Sequence, residues 1–132
     1  MAPRPEDART PGALTAARAV DVTANEVVVR LGGLDAFAAL TRTLRIPRAA
    51  IRVVSTARYE GDGLRLGGTA IPFTDIRAGR FRRGGTRTFV SFEHRDRVVT
   101  LILDRRAAGI GYDVVVLGVE DPEAIAAAIE AA

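Results

Sequence analysis

The sequence predicts a mainly β domain of the α+β class, with about seven antiparallel strands and a C-terminal helix, and three observations support this. Short runs of β-branched residues recur along the chain, as in EVVVRL at Glu26–Leu31. The pair Gly84-Gly85 separates two such runs and is typical of a two-residue hairpin turn. The chain ends in DPEAIAAAIEAA, where Asp121, Pro122 and the apolar spacing predict a helix that packs on the sheet.

The remaining elements follow from local patterns in chain order. The strand Glu26–Leu31 precedes a short helix predicted at Leu34–Thr41, and extended segments follow at Thr43–Ile46 and Ile51–Arg58. Five glycines and a proline predict a long connection over Glu60–Gly79. The last four strands are predicted at Gly79–Arg83, Thr86–Phe92, Arg97–Leu103 and Tyr112–Val119.

Length and proline placement predict the domain organisation. A chain of 132 residues with 48% hydrophobic residues is of the size and composition of one globular domain. Three prolines lie among the first 11 residues and interrupt regular structure there. We therefore predict a flexible N-terminal tail over residues 1–18 and a single domain over residues 19–132.

Composition excludes several classes of site. The chain has no Cys and one His, His94, so disulfides, zinc–cysteine sites, iron–sulfur clusters and His-pair metal sites are excluded, and no cofactor is expected. The stretch GDGLRLGG lacks the Gly-Lys-Ser/Thr ending of a phosphate-binding loop. The sequence contains no run of 18 apolar residues that would predict a transmembrane segment, and its N-terminus lacks a signal-peptide pattern. A cytoplasmic location is therefore expected.

Positive charge is concentrated in the middle of the chain. Residues 42–97 hold 13 arginines against 5 acids, a net +8, whereas residues 98–132 hold 2 arginines against 6 acids, a net −4. The densest cluster surrounds the predicted hairpin and consists of Arg77, Arg80, Arg82, Arg83 and Arg87. Such a surface either binds an anion or is neutralised by acids of the same chain.

A turn at Gly84-Gly85 determines which residues of the hairpin face each other. Arg82 then lies opposite Arg87 and Arg80 opposite Phe89, all on one face, while Phe81 and its neighbours on the other face are predicted to be core. Like charges side by side require a counter-charge. An anionic ligand is one candidate, and the other is internal neutralisation by Asp75, Glu93, Asp96 or the acidic C-terminal segment.

Three segments resemble the bacterial pleckstrin-homology-like (PH-like) domains. These are the turn IPRAAI at Ile46–Ile51, the connection LGGTAIPFTDIRAGRF, and the ending VVVLGVEDPEAIAAAI, and the resemblance covers Val20–Ala132. It implies a split barrel capped by the C-terminal helix, and a binding and oligomerisation scaffold without a common enzymatic activity. The helix at Leu34–Thr41 departs from the minimal family pattern, and the resemblance supplies no site residues.

These observations predict a non-catalytic binding or self-assembly module, not an enzyme. Its partner is expected to be an acidic protein or a second copy of the chain, with anionic lipid, a phosphate ligand or a small molecule in a barrel cavity as alternatives. The few aromatic residues argue against nucleic acid, and His94 is expected to be a solvated turn residue. The predicted binding surface consists of Arg77, Arg80, Arg82, Arg83, Arg87 and Phe89.

Overall fold

The computed structural model describes residues 18–61 and 63–131, and these form nine β-strands, three α-helices and one short 3-10 helix. The strands are β1 (Arg18–Val22), β2 (Glu26–Leu31), β3 (Thr43–Pro47), β4 (Ile51–Ser55), β5 (Leu64–Ala70), β6 (Arg77–Arg83), β7 (Thr86–Phe92), β8 (Val98–Leu103) and β9 (Val114–Gly118). The helices are α1 (Gly33–Ala39), α2 (Arg105–Ala108) and α3 (Pro122–Ala131), and the 3-10 helix spans Arg48–Ala50.

The strands form two sheets, so the prediction of a mainly β fold with a C-terminal helix is confirmed. The small sheet has the order β1-β2-β3, and the large sheet has the order β4-β8-β9-β7-β6-β5. The 3-10 helix joins β3 of the small sheet directly to β4 of the large one. Neither sheet closes on itself, so the structure does not confirm the split barrel.

One strand pair corrects the prediction that all strands are antiparallel. β9 lies between β8 and β7, and it is antiparallel to β8 but parallel to β7. Because β7 and β8 run in opposite directions, a strand inserted between them must be parallel to one of the two. The interior position of β9 follows from its apolar character on both faces: Val115 and Leu117 belong to one core cluster and Val116 to another. A strand that is apolar on both faces is most stable in the interior of a sheet, where both faces are covered.

The main core lies between the small sheet and one face of the large sheet. It includes Val27 and Ile46 of the small sheet, Phe89 and Leu101 of the large sheet, and Ile129 of α3. The opposite face of the large sheet carries a smaller cluster, Val90, Phe92, Val98 and Val116, against which Tyr59 packs. The ring of Tyr59 contacts that of Phe92 edge-on at a centroid distance of 5.9 Å.

The predicted connection over Glu60–Gly79 is in large part a strand. β5 lies within it and pairs with β6, although it contains Gly67 and Gly68, which usually disfavour strands. Gly68 permits a close approach of the two backbones, because a Cβ there would lie 2.1 Å from the carbonyl oxygen of Ala78, and Gly67 leaves room for the side chain of Arg80. The glycines therefore mark a strand-to-strand contact, not a loop.

The other differences concern the ends of elements. The first helix is Gly33–Ala39 instead of Leu34–Thr41, and β4 ends at Ser55 instead of Arg58. The predicted tail falls outside the described residues except for Arg18, which is the first residue of β1 and pairs with Leu31. Assigning Arg18 to the tail was therefore wrong, because its side chain is buried in a polar network described below.

Candidate binding surface at the arginine hairpin

The β6–β7 hairpin has the register that the sequence predicted. Gly84 adopts a φ of 59° in the turn, and Arg82 lies opposite Arg87. Two residues further from the turn, Arg80 lies opposite Phe89. A glycine turn with positive φ matches the right-handed twist of two adjacent strands, which explains why the pattern alone could determine the pairing.

Phe89 does not belong to an exposed surface, which corrects its assignment to the binding site. Its side chain is 0% exposed and packs in the main core, with its ring 5.7 Å from that of Tyr112. The face shared by Arg80 and Phe89 is exposed only near the turn, because α1 and the small sheet cover the rest. The alternation of strand residues correctly places Phe89 on this face, but alternation cannot show how far the cover extends.

Two of the five clustered arginines stabilise the fold through backbone carbonyls. The Nε of Arg80 donates to the carbonyl oxygen of Ala38 in α1 at 3.0 Å. One terminal nitrogen of Arg77 donates to the carbonyl oxygens of Thr74 at 2.8 Å and Ile76 at 2.9 Å. These two guanidinium groups thus have internal acceptors, which reduces their availability for a partner.

The remaining three arginines are exposed and are joined by a fourth on β5. Strand alternation places Arg82 and Arg87 on one face of the hairpin and Arg83 on the other, where Arg65 lies opposite Phe81. None of these four side chains forms an ion pair or a side-chain hydrogen bond within residues 18–61 and 63–131. We call the set Arg65, Arg82, Arg83 and Arg87 the arginine edge.

The acids expected to neutralise the hairpin internally are largely paired elsewhere. Asp75 accepts a hydrogen bond from the backbone N–H of Arg95 at 3.2 Å and lies 3.7 Å from its Nε. Glu93 binds Arg18 at 2.5 Å. Asp113 accepts the backbone N–H of Arg87 at 2.8 Å, but the side-chain nitrogen within reach of it belongs to Arg105, at 3.4 Å.

Tyr112 lies beneath the hairpin and was not singled out by the sequence. Burial raises the pKa of its hydroxyl, and the positive charges of Arg80 and Arg87 oppose that shift. The phenol is therefore neutral at physiological pH, and it leaves the charge of the two arginines uncompensated. Only the tertiary structure brings these residues together, since Tyr112 lies 25 positions after Arg87 in the sequence.

A buried polar network joins β1, α1 and β7, and sequence reasoning missed it. Arg18 donates from Nε to the hydroxyl of Ser91 at 2.6 Å, and its two terminal nitrogens reach Gly118 O at 2.7 Å and Glu93 at 2.5 Å. The Ser91 hydroxyl in turn donates to Asp35. Burial raises the pKa of Asp35, and its effect outweighs the hydrogen bond from Ser91 and the positive charge of Arg18, both of which lower that pKa.

This network holds the fold together and is not arranged for catalysis. The hydroxyl of Ser91 is 0% exposed, and its hydrogen-bonding capacity is used by Arg18 and Asp35. The single histidine, His94, is exposed in the segment between β7 and β8, as predicted for a turn residue. No sequence signal could have revealed the network, because Arg18 follows a proline-rich stretch and its partners are more than 15 positions away.

The turn between β5 and β6 presents an exposed aromatic residue. Pro72 and Phe73 are the central residues of this turn, in which the N–H of Thr74 donates to Ile71 O at 3.3 Å. Phe73 has a φ of 62° and a side chain exposed to 106% of the reference area. Glycine is the usual residue at such a position, so the phenylalanine strains the backbone without gaining a packing contact.

Replacing Phe73 tests this strain. We expect the Phe73→Gly variant to be more stable than the Phe73→Ala variant by about 1 kcal/mol, because glycine adopts positive φ without a steric cost and alanine does not. Urea unfolding of both variants measures the difference. Equal stabilities, or a more stable alanine variant, would show that the turn is not strained at this position.

An open cleft of about 540 Å³ lies at the opposite edge of the large sheet, between β4, the 3-10 helix and α3. Ile51, Val54 and Ile129 supply its apolar wall, and Arg48, Arg52 and Glu130 supply its polar rim. Arg48 donates to the carbonyl oxygen of Ala128, and Arg52 is paired with Asp104. The cleft is an open surface feature at the margin of the main core, and it is not the interior of a barrel.

Other kinds of site find no support in the part of the chain that the structure describes. Residues 18–61 and 63–131 contain no group of three or more His, Cys, Asp or Glu side chains placed to hold a metal ion. Within the same residues, no helix has the length and hydropathy needed to cross a bilayer. No family model, curated protein or solved structure matches the chain.

Proposed function

We propose that the protein is a non-catalytic binding module whose arginine edge engages an acidic protein surface. One observation carries this proposal: four exposed arginines cluster at one end of the large sheet without an ion pair among the described residues. Arg30, Arg45 and Arg52, which are also exposed, each have a carboxylate partner. Other exposed arginines without an ion pair among the described residues, such as Arg97 and Arg106, lie beyond opposite ends of β8 and do not adjoin each other. Unpaired, adjacent guanidinium groups repel each other, and an acidic partner would relieve that repulsion.

The PH-like assignment is part of the same proposal. It rests on the three resembling segments and on an order of strands that ends in a helix, and it would make the hairpin an interaction surface of a scaffold. Anionic lipid is the second candidate, since clustered arginines also suit acidic headgroups. Lipid binding predicts association with phosphatidylserine vesicles without binding to poly-L-glutamate.

The Arg82→Gln/Arg87→Gln variant tests the proposal. We expect the wild-type protein to bind poly-L-glutamate and the variant to bind it about tenfold more weakly, since two charge-assisted contacts are lost. Binding is measured by fluorescence anisotropy at low and high salt, and the wild-type affinity should fall with salt. The Arg97→Gln/Arg106→Gln variant is the matched control, because it removes the same charge from exposed arginines outside the arginine edge.

Three results would decide the matter. Equal weakening in the two double variants would mean that only net charge matters and would overturn the proposal. Unchanged binding in Arg82→Gln/Arg87→Gln would overturn it as well. Binding to phosphatidylserine vesicles without binding to poly-L-glutamate, lost in the same variant, would establish the lipid function instead.

A further inference from the structure

The C-terminal helix carries negative charge that has no partner among the described residues. Glu120 and Asp121 precede α3, and Glu123 and Glu130 lie on it, all four exposed and without an ion pair within residues 18–61 and 63–131. The side chain of Asp121 caps the helix by accepting the N–H of Ala124 at 3.1 Å. The molecule therefore has unpaired carboxylates as well as unpaired arginines.

These two charged regions are too far apart to neutralise each other within one molecule. α3 packs against β8, β4 and β1, whereas the arginine edge lies on β5, β6 and β7. In the large sheet, two to five strand steps separate β8 and β4 from the strands of the arginine edge, which corresponds to about 10–24 Å at the usual strand spacing. That separation exceeds the Debye length of about 8 Å at physiological salt, so the attraction across the molecule is largely screened.

The exposed side of α3 has a shape that suits a close contact. Glu123, Ala127 and Glu130 follow the spacing i, i+4, i+7 and share one side of the helix, and all three are exposed. The small Ala127 side chain between two carboxylates would allow the helix to approach a surface closely. Two charges on this stripe are separated by about 10 Å along the helix axis.

The arginine edge offers an apolar contact beside its charges. Leu64 of β5 lies opposite Arg82 and is 62% exposed, so an apolar side chain stands next to the Arg82–Arg87 pair. Exposed ion pairs contribute little to the free energy of binding on their own. A leucine that packs against an alanine removes apolar surface from water and so adds to that free energy. The two surfaces are thus complementary: the arginine edge presents arginine and leucine, and α3 presents glutamate and alanine.

We propose that the acidic partner is a second copy of this chain, with α3 of one molecule docked on the arginine edge of the next. This inference rests on the proposed function of the arginine edge. Each molecule carries both halves of the contact on different surfaces, so the association is head-to-tail and can continue beyond a dimer. Because it depends on exposed charges, it is weak and sensitive to salt.

Two complementary variants test this arrangement. Arg82→Gln/Arg87→Gln removes the basic half, and Glu123→Gln/Glu130→Gln removes the acidic half with little change of shape. By light scattering coupled to gel filtration at roughly 0.05 M salt, the wild-type mass should rise with concentration and fall to that of a monomer at roughly 0.5 M. Each variant alone should remain monomeric, and an equal mixture should form dimers with one copy of each and nothing larger.

The mixture is the decisive sample, because each mixed dimer contains one intact contact and no second one that could extend it. Wild-type protein that stays monomeric while it binds poly-L-glutamate through Arg82 and Arg87 would overturn this inference and leave the proposed function intact. Assembly that persists in either variant, or a mixture that remains monomeric while the wild-type protein assembles, would also overturn it. Failure of the poly-L-glutamate experiment would remove the proposed function itself.

Discussion

Replacing Arg18 by alanine is expected to lower the free energy of unfolding by about 3–5 kcal/mol, the usual effect of removing one partner of a buried ion pair. The guanidinium group is 7% exposed and binds Ser91, Glu93 and the carbonyl oxygen of Gly118. Its loss leaves the carboxylate of Asp35 buried, with the negative charge of Glu93 still nearby. Thermal unfolding should show a decrease in Tm of roughly 10–20 °C for a chain of this size.

The pH dependence of this loss tests the contribution of Asp35. The pKa of Asp35 is raised above its ordinary value of 3.8 in the folded protein. A folded carboxyl with a raised pKa loses stability as pH rises from the unfolded pKa through the folded one, and the cost is complete above that range. Since removing Arg18 raises this pKa further, we expect the Arg18→Ala loss to be larger at about pH 7 than at about pH 4.

Asp35→Asn provides the control for the Arg18 experiment. In that background the buried group has no charge, so Arg18→Ala should cost less, and the part of its pH dependence that comes from Asp35 should disappear. The coupling between the two substitutions, measured by urea unfolding at both pH values, gives the interaction directly. A loss below about 1 kcal/mol for Arg18→Ala would show that the network does not stabilise the fold.

Replacing Gly68 by alanine is the second large effect that we expect. A Cβ at this position would lie 2.1 Å from the carbonyl oxygen of Ala78 and 2.4 Å from the Cα of Gly79, and φ is +96°. The added methyl group therefore forces β5 away from β6 while the backbone is also strained. We expect a loss of about 2–5 kcal/mol in urea unfolding, from overpacking and unfavourable φ together.

Gly84→Ala is the matched control for Gly68→Ala. Gly84 also has a positive φ, 59°, but a Cβ there would have nothing within 4 Å. Its replacement therefore measures the cost of the backbone conformation alone, about 1 kcal/mol. Similar losses in the two variants would mean that the close approach of β5 and β6 does not limit the residue at position 68.

Local patterns predicted the elements whose signals act over a few residues. Gly84-Gly85 determined the register of β6 and β7, because a two-residue turn leaves only one pairing of the flanking strands. The position of α3 followed from Asp121, Pro122 and the spacing of its isoleucines. The same reasoning placed β5 in a loop, since glycine is rare in strands unless two backbones approach closely, and closeness is a property of the pair.

The sequence by itself determined a mainly β chain with a C-terminal helix, a glycine-turned hairpin with Arg82 facing Arg87, and the separation of positive from negative charge along the chain. Only the tertiary structure decided that Phe89 is buried, that Arg18 belongs to a buried polar network, and that α3 lies away from the arginine edge. The physical reason is the distance along the chain over which the interactions act. Turns, caps and strand alternation depend on neighbours in sequence, whereas burial and charge compensation depend on strand order, which places distant segments side by side.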